Sequence, residues 1–336
     1  MERGEKIVVG VLAVAIIAAV GVFAYYQLPE DDGGCGDTVL TVSYQGDEWT
    51  YSLCDLKDLD STSGQGGMNT KAGISGPWTF RGVSFTTLLA DIDVLPTPGL
   101  HMNVVAADDW TRSFDMAAIT GNVTTYDASG NITEPAATPI PVLAYRQNDS
   151  SIGDEDGPLR AAYVAEQPVY TRSGYWVKQV VHIDVEHVVT VSYNGSETTY
   201  TRGDLADLET VSGSGGMNTK AGISGPWNFT GVSFATLLQD AGVSDPRGVN
   251  MTVTAADGWS MTFDPSAIAG DITTYNASGN ITAGGNLTGM LAHHQDGAII
   301  GMEDGPFRVA FVAEQPLYTR SGYWVKQVVY IDIADI

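Results

Sequence analysis

One long apolar run and many short alternations divide the chain. Ile7 to Tyr26 reads IVVGVLAVAIIAAVGVFAYY, about 20 nearly unbroken apolar residues, enough for one membrane-spanning helix. From residue 38 the pattern becomes strand-like. Residues 38–44 and 48–53 alternate polar and apolar around Gln45-Gly46, which predicts a hairpin. Met102–Ala106 and Thr111–Phe114 predict a second hairpin around AADDW, matched by AADGW at Ala255. Val142–Tyr145, Arg160–Val164 and Val177–Val185 predict further strands. Helical signals are short. Asp55 and Asp204 begin DLxDL segments and are expected to cap a helical turn, and Ser84 and Ser233 stand at N-cap positions before SFTTLLADI and SFATLLQDA. The stretches 60–78 and 209–227 are rich in Gly, Ser and Asn and are expected to be long loops. The fold class expected is α+β with more strand than helix.

The chain repeats itself. VTVSYNGSETTYTRGDLADL from Val189 restates LTVSYQGDEWTYSLCDLKDL from Leu40, 149 residues on. GGMNTKAGISGPW occurs unchanged from Gly66 and from Gly215, and YTRSGYWVKQVV occurs unchanged from Tyr170 and from Tyr318. EDGP recurs at Glu155 and Glu303. The expected organisation is a stub and anchor over 1–32, a first repeat over 36–186 and a second over 187–336. At the border VVHIDVEHVVTVSY runs one strand into the next with no Gly/Ser linker, so the repeats are expected to pack closely.

Charge and address narrow the function. Lys plus Arg is 16 against Asp plus Glu 40, a net charge of −24. A nucleic-acid binder needs a basic face to displace counterions, so that class is excluded. Arg3 and Lys6 precede the apolar run and Glu30, Asp31 and Asp32 follow it. The positive-inside rule then places the bulk of the chain outside the cytoplasm as a single-pass membrane protein. A signal peptide cleaved after Val22-Phe23-Ala24 is the rival reading, with the same destination. Sequons at Asn122, Asn131, Asn148, Asn194, Asn228, Asn250, Asn276, Asn280 and Asn286 agree with an external, glycosylated surface. Cys35 and Cys54 flank the first hairpin and are expected to form a disulfide. The acidity, anchor and sequons suit an archaeal-like surface protein.

Five segments recur in order in both copies: WTFRGVSFTTLL, VVAADDWTRSF, LAYRQND, GPLR and GYWVKQVVHIDV, then WNFTGVSFATLL, VTAADGWSMTF, LAHHQDG, GPFR and GYWVKQVVYIDI. In order and spacing they resemble the oxidoreductase molybdopterin-binding domain family, of sulfite-oxidase-like fold, over both repeats. The resemblance implies two tandem domains of that fold. In that family a pterin dithiolene and one protein Cys thiolate hold molybdenum, the Cys lying in a loop ahead of the tryptophan-glycine-valine segment. Here that loop, STSGQGGMNTKAGISGPW, has no Cys in either copy, and Gly203 stands in the second copy where the first has Cys54. A soft thiolate is the natural ligand for this metal, so the redox chemistry of the family lacks its anchor.

What remains is a candidate anion or pterin site. Lys178 and Lys326 match a family Lys near the cofactor's phosphate, and Arg172 and Arg320 lie close by in sequence. Asn69, Thr70 and Lys71, with Asn218, Thr219 and Lys220, form a second polar constellation in the Gly-rich stretch, suited to a nest of backbone N–H groups. The alternative for that stretch is structural, with Trp78, Trp176, Trp227 and Trp324 anchoring it on the sheet. His293-His294 falls where the first copy has Tyr145-Arg146, and neighbours on a strand point to opposite faces, which argues against a metal pair. The acidic turns GDEDGP and GMEDGP read as solvated turns rather than calcium loops. Two function classes stay open. One is a molybdopterin-dependent oxidoreductase or a pterin- or anion-binding protein. The other is a non-catalytic, glycosylated cell-surface structural or interaction protein with protein partners.

Overall fold

The computed structural model describes residues 35–134, 138–282 and 286–336. The apolar run at 7–26 and the cleavage position lie outside the described residues. Among the described residues no helix is long and apolar enough to cross a membrane. Among the described residues the fold is strand-rich α+β, with three sheets of nine, eight and eight strands and α-helices of four to seven residues.

The predicted hairpin is Thr38–Tyr44 against Asp47–Ser52, and Gln45 and Gly46 turn it with φ of 54° and 97°. The helix Leu53–Asp58 follows at once. Its N-cap is Ser52, not Asp55. Asp55 takes the reciprocal place three residues on, its carboxylate accepting from the Ser52 backbone N–H at 2.7 Å. Thr201 and Asp204 repeat this capping box on Arg202–Asp207. Ser84 and Ser233 cap Phe85–Asp91 and Phe234–Asp240 as expected.

The two Gly-rich stretches are not loops. Ser61–Thr70 and Gly73–Ser84 form an antiparallel hairpin, and Thr210–Thr219 with Gly222–Ser233 repeats it. Glycine here answers crowding rather than flexibility. A Cβ on Gly66 would strike the Tyr163 carbonyl oxygen, and one on Gly215 the Phe311 carbonyl oxygen. The next glycine in each pair, Gly67 and Gly216, lies under the ring of Tyr170 or Tyr318.

The residues bury two hydrophobic clusters, one drawn from Leu40 to Val185 and one from Val189 to Ile333. A single strand, Val180–Tyr193, joins them; it begins three residues later and ends eight residues beyond the strand expected from the sequence. Its first part pairs with Thr38–Tyr44 in parallel and with Leu100–Ala106 antiparallel. Its second part pairs with Ser196–Thr201 antiparallel and with Val328–Asp335 in parallel. The two halves therefore share one nine-stranded sheet, and each adds an eight-stranded sheet of its own.

Candidate functional site

The site with the most unusual electrostatics starts at the EDGPLR turn. Arg160 opens the strand Arg160–Val164, every residue of which is buried. A charged residue at the head of an all-buried strand must find partners within the fold. Its Nη1 donates to Asp156 Oδ2 at 2.9 Å and to Gln147 Oε1 at 3.4 Å. Its guanidinium carbon lies 5.6 Å from the Phe80 ring centroid and 5.7 Å from that of Trp176, in cation–π range. Trp176 is fixed in turn by its Nε1–H, which donates to Thr171 Oγ1 at 2.9 Å. The other carboxylate oxygen of Asp156 takes the ammonium of Lys178 in an ion pair. The Arg160 side chain is 3 % exposed and that of Lys178 is 51 % exposed, so the cluster runs from the surface inward.

Burial pushes the Arg160 pKa down, and the Asp156 carboxylate pushes it back up. A guanidinium stays protonated in either case. Each cluster thus holds two cations and one carboxylate. The Nε and Nη2 of Arg160 are buried with no hydrogen-bond partner in the structure. Buried donors are nearly always paired, so two orphaned donors on one buried cation are unusual.

The second half builds the same cluster from its own residues. Arg308 Nη1 donates to Asp304 Oδ2 at 3.0 Å and to Gln295 Oε1 at 3.4 Å. Its guanidinium carbon is 5.4 Å from the Phe229 ring centroid and 5.6 Å from that of Trp324. Lys326 pairs with Asp304. Arg308 again leaves Nε and Nη2 buried and without a partner.

Of the residues singled out in the sequence, Lys178 and Lys326 join these clusters. The other candidates lie elsewhere. Thr70 closes the hairpin turn, its hydroxyl donating to the Gly73 carbonyl at 2.8 Å and accepting from the Ala72 N–H at 3.1 Å, and Thr219 does the same in the second half. Lys71 and Lys220 stand exposed at the turn tips. Asn69 is the register partner of Arg172, and Asn218 that of Arg320, on parallel strands. Arg172 is exposed and its Nε donates to the Tyr126 hydroxyl at 3.2 Å; Arg320 is exposed as well. Arg160, Asp156 and Gln147, with Arg308, Asp304 and Gln295, were not among the sequence candidates. Their signal was available: EDGP and the Arg two residues beyond it recur in both copies, a charge pattern set against an apolar run.

Cys35 and Cys54 are joined in a disulfide, and they are the only cysteines of the chain. His293 and His294 approach through their Nδ1 atoms at 2.6 Å, and burial pushes the His293 pKa down to about 4. Among the described residues no cluster of three or more His, Cys, Asp or Glu is placed to hold a metal ion. Eight of the nine sequon asparagines are exposed, and Asn250 is half-buried.

No family model matches the chain, and no curated protein matches it. Among solved structures, the sulfane dehydrogenase SoxCD from Paracoccus pantotrophus is similar over 82 % of this chain and 77 % of that one, at 13 % identity and a TM-score of 0.31.

Proposed function

We propose that the protein is a membrane-anchored, extracytoplasmic binding protein of two sulfite-oxidase-like domains, 36–186 and 187–336, each holding one oxyanion in its Arg–Asp–Lys cluster. The observation that carries this reading is the pair of buried guanidinium groups, Arg160 and Arg308, each with two donors unpaired. A phosphate-class group accepts from several N–H donors at once and favours a fixed guanidinium fork. The anionic phosphate of a pterin cofactor, implied by the resemblance of the five segments, fits such a donor set.

The molybdenum centre of the same family does not fit. Both cysteines of the chain are tied in one disulfide at the base of the first hairpin, and no thiolate stands in either hairpin that replaces the family's loop. The proposed activity is therefore binding, not redox turnover. The exposure of eight sequon asparagines supports a second, compatible reading, a glycosylated cell-surface protein whose domains also meet protein partners.

The test is to purify the full chain from its native membrane and measure molybdenum and tungsten by elemental mass spectrometry, with pterin fluorescence on the same sample. Substoichiometric metal, with or without pterin, is expected. Near-stoichiometric metal together with pterin would overturn the binding reading in favour of a redox enzyme with an unusual ligand set.

A further inference from the structure

Two cavities flank the contact between Tyr44 and His187, where the halves meet. The larger, about 540 Å³, is a partly open cleft lined by residues of both halves. The first half supplies the loop after the helix Phe85–Asp91, and the second half supplies Met302 and Val329. A volume of this size lies in the range of small-molecule sites, roughly 300–1,000 Å³.

Its walls combine two chemistries. Leu95, Pro98, Met302 and Val329 present apolar surface, and Leu95 remains 72 % exposed. Asp93, Asp257 and Glu303 add three carboxylates, and no Lys or Arg is among the lining residues. The apolar character belongs to the seam and not to the repeat. Where the first copy has Leu95 and Pro98 the second has Ser244 and Arg247, and where the second copy has Met302 the first has Asp154. His187, also in the wall, is 7 % exposed, and burial pushes its pKa down to about 4, so it is neutral near pH 7 and adds no positive charge.

We propose that this seam cavity binds a small amphipathic ammonium ion. Its apolar body lies against Leu95, Met302 and Val329, and its charge faces Asp93, Asp257 and Glu303. The chain's net charge of −24 raises the local concentration of such a cation, so the binding weakens with salt. This site is independent of the oxyanion reading: it takes the opposite charge, and it occurs once per chain rather than twice.

The test is calorimetric titration of the full chain with phenethylammonium, its neutral congener 2-phenylethanol and the anionic 3-phenylpropanoate. Phenethylammonium is expected to bind at one equivalent per chain, with each congener at least tenfold weaker. The Asp257→Asn, Glu303→Gln double variant is expected to lose about tenfold in affinity. Leu95→Trp, which fills the cavity from an exposed position, is expected to abolish binding while leaving the thermal midpoint in place. Equal binding of the congeners, an unchanged affinity in the double variant, a stoichiometry of two, or no binding of phenethylammonium to the unaltered chain at millimolar concentration each overturns the proposal.

Discussion

Arg160 shows how one side chain couples stability to binding. Among the described residues Asp156 is its only charged hydrogen-bond partner, and the same carboxylate holds Lys178. Replacing Asp156 with Asn leaves a buried guanidinium facing a second cation with no counter-charge. Stranding one member of a buried pair is strongly destabilising, so Asp156→Asn is expected to cost about 3 kcal/mol in denaturant unfolding. Bound phosphate should recover part of that loss. His187 gives a second prediction at this scale. Burial, aided by His101, holds its folded pKa near 4, below the usual 6.5. Above pH 6.5 the ring is neutral in both states. Between 6.5 and 4 the unfolded chain takes up a proton that the folded chain refuses, so stability falls as pH falls. The loss reaches up to about 3 kcal/mol by pH 4. His187→Gln should lessen the slope of the stability–pH curve across that window, with the contribution of His293 left in place. Lys178 was legible because it recurs in a segment that resembles a family motif. Arg160 was hidden because an Arg ahead of an apolar run looks like an edge residue until the strand proves buried from its first position.

Among the elements, the Gly-rich hairpins differ most between sequence and structure. Gly, Ser and Asn in series carry the composition of a loop, and the β-branched residues, such as Thr62 and Ile74, are too scattered among them to mark strands. What makes them strands is contact with other backbones. The carbonyl of Tyr163 or Phe311 occupies the space a side chain would need at Gly66 or Gly215. Such a close approach is long-range and leaves no local signature beyond the glycine itself. Gly66→Ala should therefore cost more than the propensity difference, about 2–4 kcal/mol, with Gly215→Ala close behind. Thermal melts of the two variants check this. A flexible loop would tolerate both changes within about 0.5 kcal/mol. The short hairpins and the caps at Ser84 and Ser233 were legible, since turn and capping chemistry act within four residues. At Asp55 and Asp204 the capping box was read from its acidic end, and the true caps, Ser52 and Thr201, stand three residues earlier.

On the scale of the whole molecule, the strand Val180–Tyr193 is the link between the two cores. The repeat and its strand-to-strand junction were legible from the 149-residue offset and the missing linker. The specialised seam was not, since it depends on which copy of each surface is covered. Val329 packs on Gly99 at the seam, whereas its counterpart Val181 is 40 % exposed. Inserting Gly-Ser-Gly-Ser after His187 should uncouple the cores. Scanning calorimetry is expected to show one transition in the unaltered chain and two in the insertion variant.

Each half is proposed to hold one oxyanion, and those anions can be counted. Isothermal titration of the full chain with inorganic phosphate is predicted to give two equivalents per chain. Arg160→Gln and Arg308→Gln should each leave one equivalent, and the double variant none, with all folds intact by circular dichroism. Phosphate binding that survives in the double variant, or an unaltered chain that takes up none at millimolar concentration, would contradict the account and leave the two guanidinium groups as packing elements of an acidic surface protein.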